Sequence, residues 1–200
     1  MDMQFYEAIA NRRSYYAIGK EKIVNEEKVQ EIVNFAVKHI PSSFNSQSGR
    51  VIILFNKQHD KIWDIVKGEL RKILSDTNYY DSKEKIDTCF ASGYGTILFF
   101  EDYEIIEGLQ KQFQLYRDNF PVWSHQSSGM LQFSIWTALE MNGLGATLQH
   151  YNPLIDDEVK KQWSIPEKWK LIAQMPFGNP LEKPIEKEYK SLAERVKIYR

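Results

Sequence analysis

Residues 25–55 read NEEKVQEIVNFAVKHIPSSFNSQSGRVIILF, and three kinds of local structure are encoded in that one stretch. Asn25 is a helix N-cap, with Glu26 and Glu27 in the first turn, where the helix dipole favours acids. Val29, Ile32, Val33, Ala36 and Ile40 recur at helical spacing. Pro41 ends the pattern, because the residue before a proline is pushed out of the α region. A polar loop follows, PSSFNSQSG at 41–49, with a phenylalanine in its middle. Arg50 to Phe55 then reads as a buried strand, dense in β-branched residues and flanked by turn formers. Helix, loop and strand in direct succession predict helices packed on a sheet.

The same reading extends outward. Asp2 is the expected cap of a short first helix in which Phe5, Ala8 and Ile9 share a face and which runs into Asn11-Arg12-Arg13-Ser14. Downstream, a helix is predicted from about His59 to Leu74 and a strand from Thr96 to Phe100, introduced by Gly93-Tyr94-Gly95. Tyr103 to Asn119 has helical spacing, and Val122 to Asn142 is a long helix ended by Gly143. Its small residues Ser127, Ser128 and Gly129 allow close approach of a helix or ligand. Ala146 to His150 reads as extended, Asp156 to Trp163 as helix and Trp169 to Met175 as a third strand. Val196 and Ile198 alternate with charges as an edge strand would. There is no repeat, low-complexity tract or linker, so residues 1–200 are expected to form a single domain, an α/β or α+β sandwich dominated by helix.

Composition excludes several functions. With 26 Lys plus Arg against 27 Asp plus Glu, there is no global electrostatic drive toward nucleic acid or an anionic membrane. The single cysteine, Cys89, cannot form an intramolecular disulfide or a multi-cysteine metal site. The start MDMQFYEAIANRRS lacks the apolar region of a secretory signal, and the apolar runs VIILF and TILFF are far too short to span a bilayer. A soluble, cytoplasmic protein is expected. No glycine-rich phosphate loop follows a strand, no histidine pair has metal spacing, and there is no nucleophile elbow.

What remains is a set of polar and anion ligands. Arg12-Arg13-Ser14 offers two guanidinium forks and a hydroxyl, enough to hold a phosphate dianion; equally, two arginines near a helix end complement its dipole. The loop Pro41-Ser42-Ser43-Phe44-Asn45-Ser46-Gln47-Ser48 offers hydroxyls and two amides that both donate and accept, suited to the edge of a heterocycle or simply to a surface turn.

Taken in order, "NRRS", "PSSFNSQSGR", "WSHQSSGMLQFSIWTALEMNGLGATLQHYNP", "PFGNP" and a basic "ERVK" resemble the nitroreductase superfamily over nearly the whole chain, in particular its short branch of fatty-acid-repression nitroreductase-like proteins from yeast. The resemblance implies an α+β three-layer sandwich with a central mixed sheet flanked by helices, a domain-swapped homodimer, and one FMN at each of two subunit interfaces. It assigns Arg12, Arg13 and Ser14 to the FMN phosphate and polar flavin edge, and Pro41, Ser42, Ser43, Asn45 and Gln47 to a segment supplied by the partner subunit. Leu148, Gln149 and His150, with Tyr151, fall on the stretch against the flavin face, and Arg195 and Lys197 on a basic pair meeting the phosphate. Two positions depart from the family: Tyr16 stands where a basic residue is common, and Ser48-Gly49 where many relatives have Pro-Trp.

FMN would carry the redox chemistry, so neither a catalytic side chain nor a metal is assigned. The implied function is an oxidoreductase that takes hydride from NAD(P)H by a ping-pong mechanism and reduces nitroaromatic or quinone-type acceptors. The alternatives are a non-enzymatic flavoprotein acting as a redox or ligand sensor, and an α/β dimer with no cofactor. Phe44, Tyr94, Trp123 and Tyr151 are the aromatic candidates to wall the acceptor slot, and His125 and His150 could donate a proton.

Overall fold

The structure, a computed structural model, describes residues 5–200, so the expected Asp2 cap lies outside the described residues. In chain order the elements are α1 (Phe5–Asn11), β1 (Ile18–Gly19), α2 (Glu26–His39), β2 (Gly49–Phe55), α3 (Lys57–Ile73), α4 (Asp76–Cys89), β3 (Gly95–Asp102), α5 (Tyr103–Gln112), α6 (Asn119–Met141), β4 (Gly145–Ala146), α7 (Asp156–Trp163) and β5 (Trp169–Pro180). The sheet order is β1-β5-β3-β2, with β4 also paired to β5. All these pairings are antiparallel; an isolated bridge between Ser14 and Ala146 is the parallel component that makes the sheet mixed.

The layers follow from the strand period of two. Every residue of β3 is buried, because both of its faces are covered. Ile97 and Phe99 point into a core with Val29, Ile32 and Val33 of α2 and Leu131, Ile135 and Leu139 of α6. Leu98 and Phe100 point the other way, into a core with Ile62, Trp63 and Val66 of α3, Ile86 of α4 and Val159 of α7. A helix layer therefore lies on each side of the sheet. In the second core one polar knot is fully paired: the Trp63 indole N–H donates to Thr96 Oγ1 at 3.0 Å, His59 Nδ1 lies 2.8 Å from that oxygen, and His59 Nε2 lies 3.2 Å from the Ala91 carbonyl. Donation from Nε2 to the carbonyl leaves Nδ1 to accept from Thr96, and burial lowers the His59 pKa, so the ring is held neutral.

Gly178 is required where the two short strands converge on β5. A Cβ there would sit 2.4 Å from the Gly19 carbonyl oxygen. This close approach brings the segment after α1 beside β4.

Four of the predicted elements differ in the structure. The helix predicted over Tyr103–Asn119 stops at Gln112, because Phe113 leaves the helical region (φ −122°, ψ 71°) before a short 3-10 turn. The long helix begins at Asn119, not Val122; Pro121 fits its first turn, where an N–H has no intrahelical partner to lose. Strand β2 is an edge strand in which only Leu54 is fully buried. Val196 and Ile198 lie in no strand: they are exposed, follow a 3-10 turn at Leu192–Glu194, and meet neither free edge of the sheet. Among the described residues no helix is long and apolar enough to cross a membrane.

Candidate functional site

The first polar segment follows the C-terminus of α1. The Tyr15 amide donates to the Ala146 carbonyl at 3.0 Å and Ser14 bridges Ala146, so residues 12–15 are stitched to β4 and through it to β5. Arg12 lays its guanidinium over the Trp136 ring, 4.3 Å from the centroid. Burial lowers its pKa, Glu140 on α6 opposes that shift, and Arg13 adds to it. Its Nε is buried with no hydrogen-bond partner. Glu140 itself is raised by burial and accepts from the Tyr15 hydroxyl. Arg13 donates through Nη2 to the Ile185 carbonyl. Arg12, Arg13 and Ser14 line a cleft of about 450 Å³ whose far wall, including Lys183 and Lys187, comes from the C-terminal arm. The cleft is cationic, and Arg12 brings to it a donor without an acceptor.

The stretch 148–151 is held by a residue that sequence reading missed. Gln174 is completely buried in strand β5, inside its apolar run from Leu171 to Phe177. Its backbone exchanges hydrogen bonds with Gln149 at 2.7 and 2.9 Å, its Oε1 accepts from the Tyr151 amide at 2.7 Å, and its Nε2 reaches Asn152. The signal was present as one amide inside LIAQMPF, since a buried Gln must find partners. Gln149 also donates to Thr147, while Leu148 packs on the α2–α6 core and His150 is exposed.

The second polar segment is strained. Phe44, Asn45 and Gln47 have φ of 56°, 49° and 48°, three left-handed non-glycine residues within four positions. Such conformations persist only where the surroundings over-determine them. Here the Ser42 hydroxyl accepts the Gln47 amide at 2.9 Å, and Arg50 grips the Gln47 carbonyl at 2.7 Å and Asp102 at 3.0 Å. Phe44 enters an aromatic cage with ring centroids of Phe113, Phe120, Tyr116 and Trp123 at 4.9, 5.2, 5.9 and 6.0 Å. Pro41, Ser42, Asn45 and Gln47 line a cleft of about 270 Å³ with Glu101 of β3 at its wall, while Ser43 opens the 3-10 turn beside it. The Ser48 hydroxyl donates to Glu101 Oε2 at 2.7 Å, and Gly49 stands opposite Glu101 in the sheet. The Ser48-Gly49 departure thus faces a buried carboxyl, which burial raises to about 7 against the pull of Ser48 and Arg50. Sequence reading missed Glu101 as well; its only mark was an acid ending the apolar run TILFFED.

The structure sets 12–14 beside β4 near the C-terminal end of β5 and 148–150 beside the middle of β5, and places 41–47 in a different cleft that shares no lining residue with the first. Arg195 and Lys197 lie exposed in the C-terminal arm and line neither cleft. Tyr94 lines neither of these two clefts: it is buried in the core against Phe55 and Phe177. Tyr151 packs on Trp63 and Phe90. Tyr16 is exposed, with the Lys85 ammonium 5.9 Å from its ring centroid. His125 is exposed and bonded to the Tyr103 hydroxyl, its pKa lowered by burial and by Lys170.

Comparison with known proteins places the chain in a family. Residues 9–179 match the Nitroreductase family profile. Nitroreductase FRM2 of Saccharomyces cerevisiae is 33% identical over 187 residues, 92% of each chain. Nitroreductase CinD from Lactococcus lactis, solved with chloramphenicol, nicotinic acid and 4-nitrophenol, is 45% identical, with TM-scores of 0.90, 0.91 and 0.90 over 98% of this chain and 100% of that one. A Desulfovibrio desulfuricans protein solved in complex with FMN shares the fold, with a TM-score of 0.70 at 20% identity over 98% of this chain and 96% of its own. Matched over most of its length by family profile, sequence relatives and solved folds, the chain belongs to the nitroreductase family.

Proposed function

We propose that the protein is an FMN-dependent oxidoreductase of the cytoplasm that draws on NAD(P)H by a ping-pong mechanism, passes electrons to nitroaromatic or quinone-type acceptors, and works as a homodimer of single-domain subunits. The observation that carries the reading is the cationic cleft lined by Arg12, Arg13, Lys183 and Lys187, in which Arg12 carries a buried Nε with no partner. An oxyanion is the natural acceptor for that donor, and arginine suits phosphate because its fork is planar and always charged. Arg12, Arg13 and Ser14 would hold the FMN phosphate and polar edge, and Leu148, Gln149 and His150 would lie along the ring. Pro41, Ser42, Ser43, Asn45 and Gln47 would come from the other subunit, and the arm would bring Arg195 and Lys197. When bound, FMN supplies the hydride and electron transfer.

Physical surfaces of this chain support the homodimer. The two polar segments occupy separate clefts. Val122, Met130, Phe133 and Met141 are exposed along α6, and Gly129 has open space above it. The arm exposes Ile185, Tyr189, Leu192, Val196 and Ile198. A permanent interface, which begins at roughly 2,000 Å², is expected to draw on those residues. The CinD complexes with 4-nitrophenol and with nicotinic acid, a pyridine like nicotinamide, support the acceptor and donor classes.

The test is to purify the protein and measure its mass in solution, its FMN content, and NADH or NADPH oxidation with 4-nitrophenol and a quinone. A yellow dimer that turns over is expected. Tight FMN binding without turnover would favour the sensor reading, and a colourless monomer that takes up no added FMN would refute the proposal.

A further inference from the structure

Glu101 is a buried carboxyl that neither the fold nor the phosphate cleft requires. It is 1% exposed, at the penultimate position of β3, and it lines the same cleft as Asn45 and Gln47. Its cross-strand partner on β2 is Gly49, which adds no side chain of its own; a Cβ there would lie 3.3 Å from Leu131 Cδ2 and 3.8 Å from Glu101 Oε1. Its Oε2 accepts from Ser48 Oγ at 2.7 Å, and Ser48 Oγ lies 3.2 Å from Ser46 Oγ in the half-buried loop. A carboxyl, a buried hydroxyl and a second hydroxyl nearer solvent form an unbroken path along which a proton can move. The charged groups around Glu101 are Arg50 on β2, Asp102 beside it on β3, Lys170 opposite it on β5, and Lys38 at the end of α2; α6 presents the uncharged Ser127 and Leu131 to the cleft.

We infer that Glu101 is a proton-exchanging residue of the FMN site, taking one proton through Ser46 and Ser48 when electrons enter the cofactor held by the 41–47 loop and releasing it when they leave. The inference rests on the reading that this loop holds FMN. Electrons arriving from reduced nicotinamide bring negative charge toward the cleft, and the carboxylate gains a solvent proton in response. Only an O–H bond forms at Glu101, and it breaks again when the acceptor removes the electrons. Because burial already holds the carboxyl at about 7, a modest added negative charge is enough to protonate it near neutral pH.

The experiment is a redox titration of the FMN-loaded protein and its Glu101→Gln variant from pH 6 to 9. On the alkaline side of about pH 7, the wild type should take up one more proton per two electrons than the variant, seen as a steeper dependence of midpoint potential on pH. Reduced-minus-oxidised infrared spectra of the wild type should show a protonated carboxyl band appearing, a readout that needs no variant. Equal slopes, or no such band, would overturn the inference. Asn45→Leu separates this failure from that of the underlying reading: FMN affinity falling about tenfold keeps the loop at the cofactor, whereas unchanged affinity removes the loop, and Glu101 with it.

Discussion

Replacing Phe44 tests whether the polar loop is held by its aromatic cage against its own backbone. Phe44 sits at φ 56° and ψ 24°, about half exposed, with four aromatic rings within 6.0 Å of its own. A fully buried Phe→Ala substitution costs about 3–5 kcal/mol, so a half-buried one should cost about 2. Phe44→Ala keeps a Cβ in the left-handed region and so retains about 1–2 kcal/mol of backbone strain. Phe44→Gly loses the same aromatic contacts but releases that strain, offset in part by the greater freedom of glycine in the unfolded chain. The glycine variant should therefore be the more stable of the two by about 0.5–1 kcal/mol, the reverse of the order at ordinary positions. Urea unfolding of the three proteins reads this directly. FMN affinity should fall about tenfold in both variants, because the ligand must then order the loop. If alanine proves as stable as glycine, Phe44 is not strained and the account of the loop fails.

Arg12→Ala removes a charge-assisted contact of about 1.5–3 kcal/mol, so FMN should bind roughly tenfold to a hundredfold more weakly while riboflavin, which lacks the phosphate, is affected far less. Thr96→Val orphans both His59 Nδ1 and the Trp63 N–H in the core and should cost about 2–4 kcal/mol in chemical unfolding. Glu101→Gln should behave differently across pH. Because the folded pKa is raised to about 7, the carboxyl's stabilising contribution is full below its unfolded value and is lost as pH rises through 7. Thermal melts should therefore show wild type and variant alike at about pH 4, and the variant more stable by on the order of 2 kcal/mol at pH 8.

Elements with one wet and one dry face were legible in the sequence. For α2, the N-cap Asn25 accepts from the Lys28 amide, and Val29, Ile32, Val33 and Ala36 form the buried stripe. Helix α4 gave no such signal: Ile86 is its one buried residue and the rest of the turn sequence is polar, so tertiary contacts with α3 decide its form. The two-residue strands β1 and β4 are set by the close approach at Gly178, which involves residues far apart in the chain. At the site, ligand types could be read from runs such as Asn11-Arg12-Arg13-Ser14, because charge and hydroxyl chemistry belong to the side chains themselves. The contributions of Glu101 and Gln174 could not, since each depends on cross-strand partners at Gly49 and Gln149.

The distribution of local conflict in the molecule separates packing from function. Deep in the α3 core the polar atoms of His59, Trp63 and Thr96 satisfy one another, as stability demands of buried groups. Around the two clefts the same demand is repeatedly relaxed. Arg12 Nε and Trp136 Nε1, residues stacked on each other, are both buried without partners. Three choices of backbone within four positions, at Phe44, Asn45 and Gln47, are unfavourable, and an ionisable carboxyl lies where a leucine would pack. Unpaired atoms also occur at Tyr94 and Asp156, so an orphan alone identifies nothing. What distinguishes the clefts is that different kinds of cost coincide there: an unpaired donor in one, strain and a buried charge in the other. A sequence selected only to fold would remove each by a single substitution, Glu101→Gln being the simplest. Their coincidence at the C-terminal ends of β3 and β5, which lie at opposite ends of the sheet, is what the proposed ligand held between one cleft of each of two subunits would explain.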